Sequence, residues 1–109
     1  MEQQELQSLL KQYQEYQQQY QALVLQKENL KLQMLEVDNA LDELERTQEK
    51  EGYKIVGSIM IKKPVEKLKE ELRDRRINLD LRIKTIEKTE SRIVEKLKEL
   101  EEKIKPLLG

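Results

Sequence analysis

The chain has 109 residues, 39% charged and 37% hydrophobic, with a net charge of −1 and no Cys, His, Trp or Phe. That composition excludes disulfides, thiol chemistry and Cys- or His-based metal centres, and it removes the commonest general base. Three Gly and two Pro leave room for few turns, so the elements must be long.

The first element is a long helix over residues 1–48. Alternating strides of three and four from Leu6 reach Leu9, Tyr13, Tyr16, Tyr20, Leu23, Lys27, Leu30, Met34, Val37, Leu41, Leu44 and Gln48. All but Lys27 and Gln48 are apolar or Tyr, which is the a/d seam of a coiled coil. At 1.5 Å per residue such a helix runs roughly 70 Å. Its polar residues are rich in Gln, densest around Gln17, Gln18 and Gln19.

The pattern fades after Leu44, and a β-rich connector follows at 53–62. Ile55 and Val56 precede Gly57-Ser58, and Ile59, Met60 and Ile61 follow it. A two-residue loop with Gly first predicts a hairpin closed by a type II′ turn. Pairing about that turn sets Val56 opposite Ile59 and Ile55 opposite Met60. Tyr53, Ile55 and Met60 then share one face, and Val56, Ile59 and Ile61 the other. Both faces are mainly apolar and both edges are free. A lone two-stranded hairpin is marginal in water, so further strands from other chains are expected to cover it.

The second helix is expected over 64–106. Pro64 suits a first helical turn, and Pro106 and Gly109 suit the far end. Its seam runs through Val65, Leu68, Leu72, Arg76, Leu79, Ile83, Ile86, Glu90, Ile93, Leu97, Leu100, Ile104 and Leu107, with a stutter at Leu68–Leu72–Arg76. Glu71–Arg75, Asp80–Lys84, Glu99–Lys103 and Glu101–Lys105 are i,i+4 pairs of small individual weight.

Two helices of matched length and a short connector favour an antiparallel helical hairpin. Residue numbers facing each other then sum to roughly 112–117, a register that follows from the turn. Lys27 falls near Glu90 and Arg76 near Asp38, as partly exposed pairs that fix register. The fold class expected is mainly α: an antiparallel coiled-coil hairpin joined by one β-hairpin.

The stretch from Tyr53 to Lys62, Tyr-Lys-Ile-Val-Gly-Ser-Ile-Met-Ile-Lys, resembles the Tyr-Lys-x-x-Gly-x-x-Leu-Val pattern of prefoldin subunits, with Met60 where Leu is frequent. The Tyr- and Gln-rich opening of the first helix and Leu41-Asp42-Glu43-Leu44 before the connector are similar too. A connector with room for one hairpin resembles the β class rather than the two-hairpin α class. The resemblance covers nearly the whole chain and implies one prefoldin-like domain over 1–109. It implies a hexamer of two α-class and four β-class subunits whose hairpins merge into β-barrels. It further implies an ATP-independent holdase, without cofactor or metal, that captures unfolded proteins between coiled-coil tips. It implies, too, that those clients pass to a group II chaperonin. The oligomerisation residues so marked are Tyr53, Ile55, Val56, Gly57, Ile59, Met60 and Ile61. The client-binding tip is Leu6, Leu9, Leu10, Ile104, Leu107 and Leu108.

Other function classes fit poorly. No Gly-rich phosphate loop or nucleophile beside a base is present, and two paired helices offer no pocket for catalysis. Arg73, Arg75, Arg76, Arg82 and Lys84 are interleaved with Glu70, Glu71, Asp74 and Asp80, a solvated face rather than a nucleic-acid patch. Apolar runs of at most Leu23-Val24-Leu25 or Ile59-Met60-Ile61 exclude a membrane span and a signal peptide, so a cytoplasmic location is expected. The alternative is a coiled-coil scaffold subunit that joins other chains and binds no client.

Overall fold

A computed structural model describes residues 1–109. Helix α1 spans Glu2–Arg46, strands β1 and β2 span Glu51–Val56 and Ile59–Pro64, and helix α2 spans Val65–Leu108. No helix is long and apolar enough to cross a membrane. The chain divides into two compact units, each containing part of both helices. The terminal unit holds Met1–Asn29 with Ile83–Gly109, and the hairpin unit holds Leu30–Arg82.

In the terminal unit the helices run antiparallel. Tyr13 bonds to Glu101 and Lys27 to Glu90, so the α2 partner falls in number as α1 advances. Leu9, Ile83, Ile93, Leu100 and Ile104 are buried here, all at seam positions. In the hairpin unit Asp38 meets Arg76 and Glu45 meets Arg73, again antiparallel. Its buried residues are Leu30, Val37, Val65, Leu68 and Leu79. The heptad seam is therefore the contact line in both units, because only a 3–4 spacing keeps one apolar stripe facing its partner.

At the stutter Arg76 leaves the seam. Its Nε donates to Asp38 Oδ1 at 2.6 Å on the exposed flank, while Leu72 and Leu79 continue the contact.

The connector is an antiparallel two-stranded sheet with Val56 opposite Ile59, Ile55 opposite Met60, and pairing that extends to Glu51 opposite Pro64. Gly57 has φ 60° and no non-Gly residue has positive φ, so Ser58 takes negative φ, as a type II′ turn requires. The strands are longer than the 53–62 read from residue types. A Cβ at Gly52 would lie 2.9 Å from Leu68 Cδ1, so glycine lets β1 approach α2 here without displacing the Leu68 side chain.

The helix ends differ from expectation: α1 spans Glu2–Arg46 rather than 1–48, and α2 is displaced at both ends. Pro64 is the last residue of β2, and α2 begins at Val65, whose N–H donates to Lys50 O at 2.8 Å. At the far end Pro106 lies inside α2, which continues to Leu108. Proline there costs one backbone bond in a final turn that is already short of partners. After α1, Thr47 N–H returns to Glu43 O, and Thr47 Oγ1 accepts from Glu49 N–H, which turns the chain toward β1.

Candidate functional site

Two groups of residues stand out, one in each unit. The first is the hairpin. Tyr53, Ile55, Val56, Ile59, Met60 and Ile61 are all exposed, with Ile55 at 72%. Register and pleat put Tyr53, Ile55 and Met60 on one face and Val56, Ile59 and Ile61 on the other. At these six side chains neither face is buried. Burying one such side chain is worth roughly 1.5–3 kcal/mol, so these six residues form an apolar surface that covering would stabilise.

The hairpin is fixed to α2 by charge as well as by Gly52. Glu71 accepts from Lys63 at 2.6 Å and from Lys54 at 3.2 Å, one lysine from each strand. These hydrogen bonds, Lys63 first and Lys54 second, hold the Glu71 carboxyl below its ordinary value. The i,i+4 pairing expected between Glu71 and Arg75 is replaced. Arg75 turns instead to Gln33, because the folded hairpin brings two cations closer to Glu71 than its own helix offers. Tyr53 borders a groove of about 440 Å³ with Ala40, Leu44, Leu68 and Leu72. No sequence period announces these ties, since they arise only when the hairpin folds against the helices.

The second group lies at the helix ends, in the terminal unit. The six residues read as a tip separate into two kinds. Leu9 and Ile104 are buried with Leu100, and Leu6 and Leu107 pack against that cluster together with Tyr13 and Tyr16. Leu10 and Leu108 are exposed, Leu108 at 68%. The end of the helix pair is closed, with an apolar rim. Tyr13 Oη donates to Glu101 Oε1 at 2.8 Å across the helices. That hydrogen bond to an anion raises the Tyr13 hydroxyl above its ordinary value.

Deeper in the same unit, Lys27 Nζ donates to Glu90 Oε1 at 2.7 Å. The register expected from the turn places this pair and Arg76–Asp38 in contact. One detail differs. Glu90 is 7% exposed rather than partly open, because the seam continues on both sides of it through Ile86 and Ile93. Leu25 in the terminal unit, and Leu32, Leu35, Ile77 and Leu81 in the hairpin unit, are also exposed. They fall outside the a/d positions, which is the signal that marks them as lying off the contact line.

A family model described as prefoldin subunit matches residues 7–109. The chain is 37% identical over 105 residues to prefoldin subunit beta of Thermococcus onnurineus, covering 95% of this chain and 90% of that one. It is 38% identical over 106 residues to prefoldin subunit beta of Methanothrix thermoacetophila, covering 96% of this chain and 88% of that one. Among solved structures, the prefoldin beta subunit from Thermococcus strain KS-1 superposes with a TM-score of 0.86. That match is 36% identical and covers 94% of this chain and 90% of that one.

Proposed function

Because this chain belongs to the prefoldin subunit family, in its β class, we propose that it serves as the β subunit of an ATP-independent holdase. In this reading four copies join two α-class subunits, and the hairpins merge into β-barrels that close every free strand edge. Unfolded proteins are held at the coiled-coil ends and passed to a group II chaperonin in the cytoplasm.

The single observation that carries the reading is the hairpin: two strands whose Tyr53, Ile55, Val56, Ile59, Met60 and Ile61 are exposed across both faces. Strand addition from neighbours satisfies the open edges and buries both faces together. The helix ends support the second half. A holdase for unrelated clients needs apolar surface without a shape-specific pocket, and Leu10 and Leu108 offer that. Each end alone binds weakly, and several ends on one assembly act together.

The test is reconstitution with the α-class subunit of the same source, followed by aggregation of an unrelated denatured protein without nucleotide. Suppression of aggregation by the assembled species supports the holdase. An assembly that forms and leaves aggregation unchanged would instead be a scaffold.

A further inference from the structure

If clients are held at the helix ends, as proposed above, then most of the apolar surface there is not available in the closed state. Leu9, Leu100 and Ile104 are 9%, 5% and 7% exposed. A client reaches them only when the terminal turns of α1 and α2 part. Helix ends open locally at low free-energy cost, so the question is what stops the opening.

The side-chain bonds between the helices answer it. From Lys27–Glu90 outward to the termini, Tyr13–Glu101 is the one hydrogen bond that crosses from α1 to α2. The Tyr13 ring also packs against the Leu9, Leu100 and Ile104 cluster. One side chain thus joins the apolar cluster to a charged partner on the opposite helix.

We propose that the Tyr13–Glu101 hydrogen bond is the latch of the client-binding end. While it is made, the two helices are tethered directly beneath the cluster and its parting is opposed; when it breaks, Leu9, Leu100 and Ile104 part more readily and become available to a client. A protein whose binding-competent state is a minor one binds more weakly by the fraction populated, and loosening the latch raises that fraction. The latch therefore sets the affinity of the holdase without touching the client.

The test uses Tyr13→Phe in the assembled complex. The variant removes the donor and keeps the ring in the cluster. Glu101→Gln is the conservative control, because its amide oxygen still accepts from the Tyr13 hydroxyl. Two quantities are read: amide hydrogen exchange of residues 6–12 and 101–108, and suppression of aggregation of a denatured protein. Tyr13→Phe is expected to speed exchange at both ends by roughly two- to fivefold, the range for one exposed charge-assisted bond. The complex concentration needed for half-suppression is expected to fall by a similar factor, with Glu101→Gln close to wild type. Unchanged exchange in Tyr13→Phe overturns the latch, whatever the holding activity does. Faster exchange without better holding leaves the latch standing and instead counts against client capture at the helix ends.

Discussion

Lys27 Nζ stands 2.7 Å from Glu90 Oε1, at the places where the apolar seam of each helix is interrupted by a charge. Each residue alone would be a defect in a coiled-coil contact line. Together they define which residues face each other, because a shift by one heptad would bury a carboxylate against aliphatic side chains.

This pair has a clear mutational signature. Lys27→Ala leaves Glu90 buried without its cation, and the melting temperature followed by circular dichroism should drop by several degrees. Replacing both residues by Leu should restore or raise it, since apolar substitutes avoid the desolvation cost of two charges. The hydrogen bond to Glu90 raises the Lys27 ammonium above its ordinary 10.5. The stabilisation is therefore full below that pH and is lost as pH rises through the raised value. The double Leu variant should lack this alkaline loss.

Glu71 has the opposite sign. Its carboxyl is held below the ordinary 4.5 by Lys63 and Lys54. The tie from α2 to both strands is therefore present above that pH and is lost as pH falls through the depressed value. Glu71→Gln should melt lower than wild type at neutral pH and show a shallower loss of stability as pH falls below 4.5. An acid slope equal to that of wild type would show that the two lysines do not act through Glu71.

The two glycines of the connector should respond differently to substitution. Gly52→Ala sets a methyl 2.9 Å from Leu68 Cδ1, so the hairpin must lift from α2 or Leu68 must move, with a lower melting temperature. Around Gly57 nothing lies within 4 Å, and its φ of 60° is the only difficulty. Gly57→Ala should cost about 1–2 kcal/mol through backbone strain alone. A D-alanine at 57, introduced by chemical synthesis, should be tolerated where L-alanine is not.

Assembly depends on the hairpin faces. Ile55→Asp with Ile59→Asp places a charge on each face while leaving the helical seam intact. Circular dichroism should show unchanged helix content, and light scattering should show lower-order species in the presence of the α-class subunit. An assembly of unchanged mass would contradict association through the hairpin.

What sequence alone made legible follows from periodicity and turn geometry. The 3–4 spacing gave both helices and their contact line. Gly57-Ser58 gave the strand register, and the two together placed Lys27 beside Glu90 and Arg76 beside Asp38. The features it left hidden are tertiary. Glu71 abandons its helical neighbour for Lys54 and Lys63 only once the hairpin has folded against α2. Gly52 read as a fading of the heptad pattern, whereas its role is to admit Leu68 at close range. At the helix ends, by contrast, the seam itself marks Leu10 and Leu108 as lying off the contact line, and both are exposed. Burial separates Leu9 and Ile104, which close the cluster, from Leu10 and Leu108, which face outward.

Client capture at the helix ends is tested most directly by measuring aggregation suppression with an assembled complex carrying Leu6, Leu9, Leu10, Ile104, Leu107 and Leu108 all changed to Ser. The hairpin lies in the other compact unit, so the surface proposed for association is left in place. Capture at the ends predicts a complex of unchanged mass whose holding activity falls by roughly tenfold or more, because the loss at each end is multiplied across the assembly. Full holding activity in an intact complex would contradict it and move the client site to another surface of the subunit.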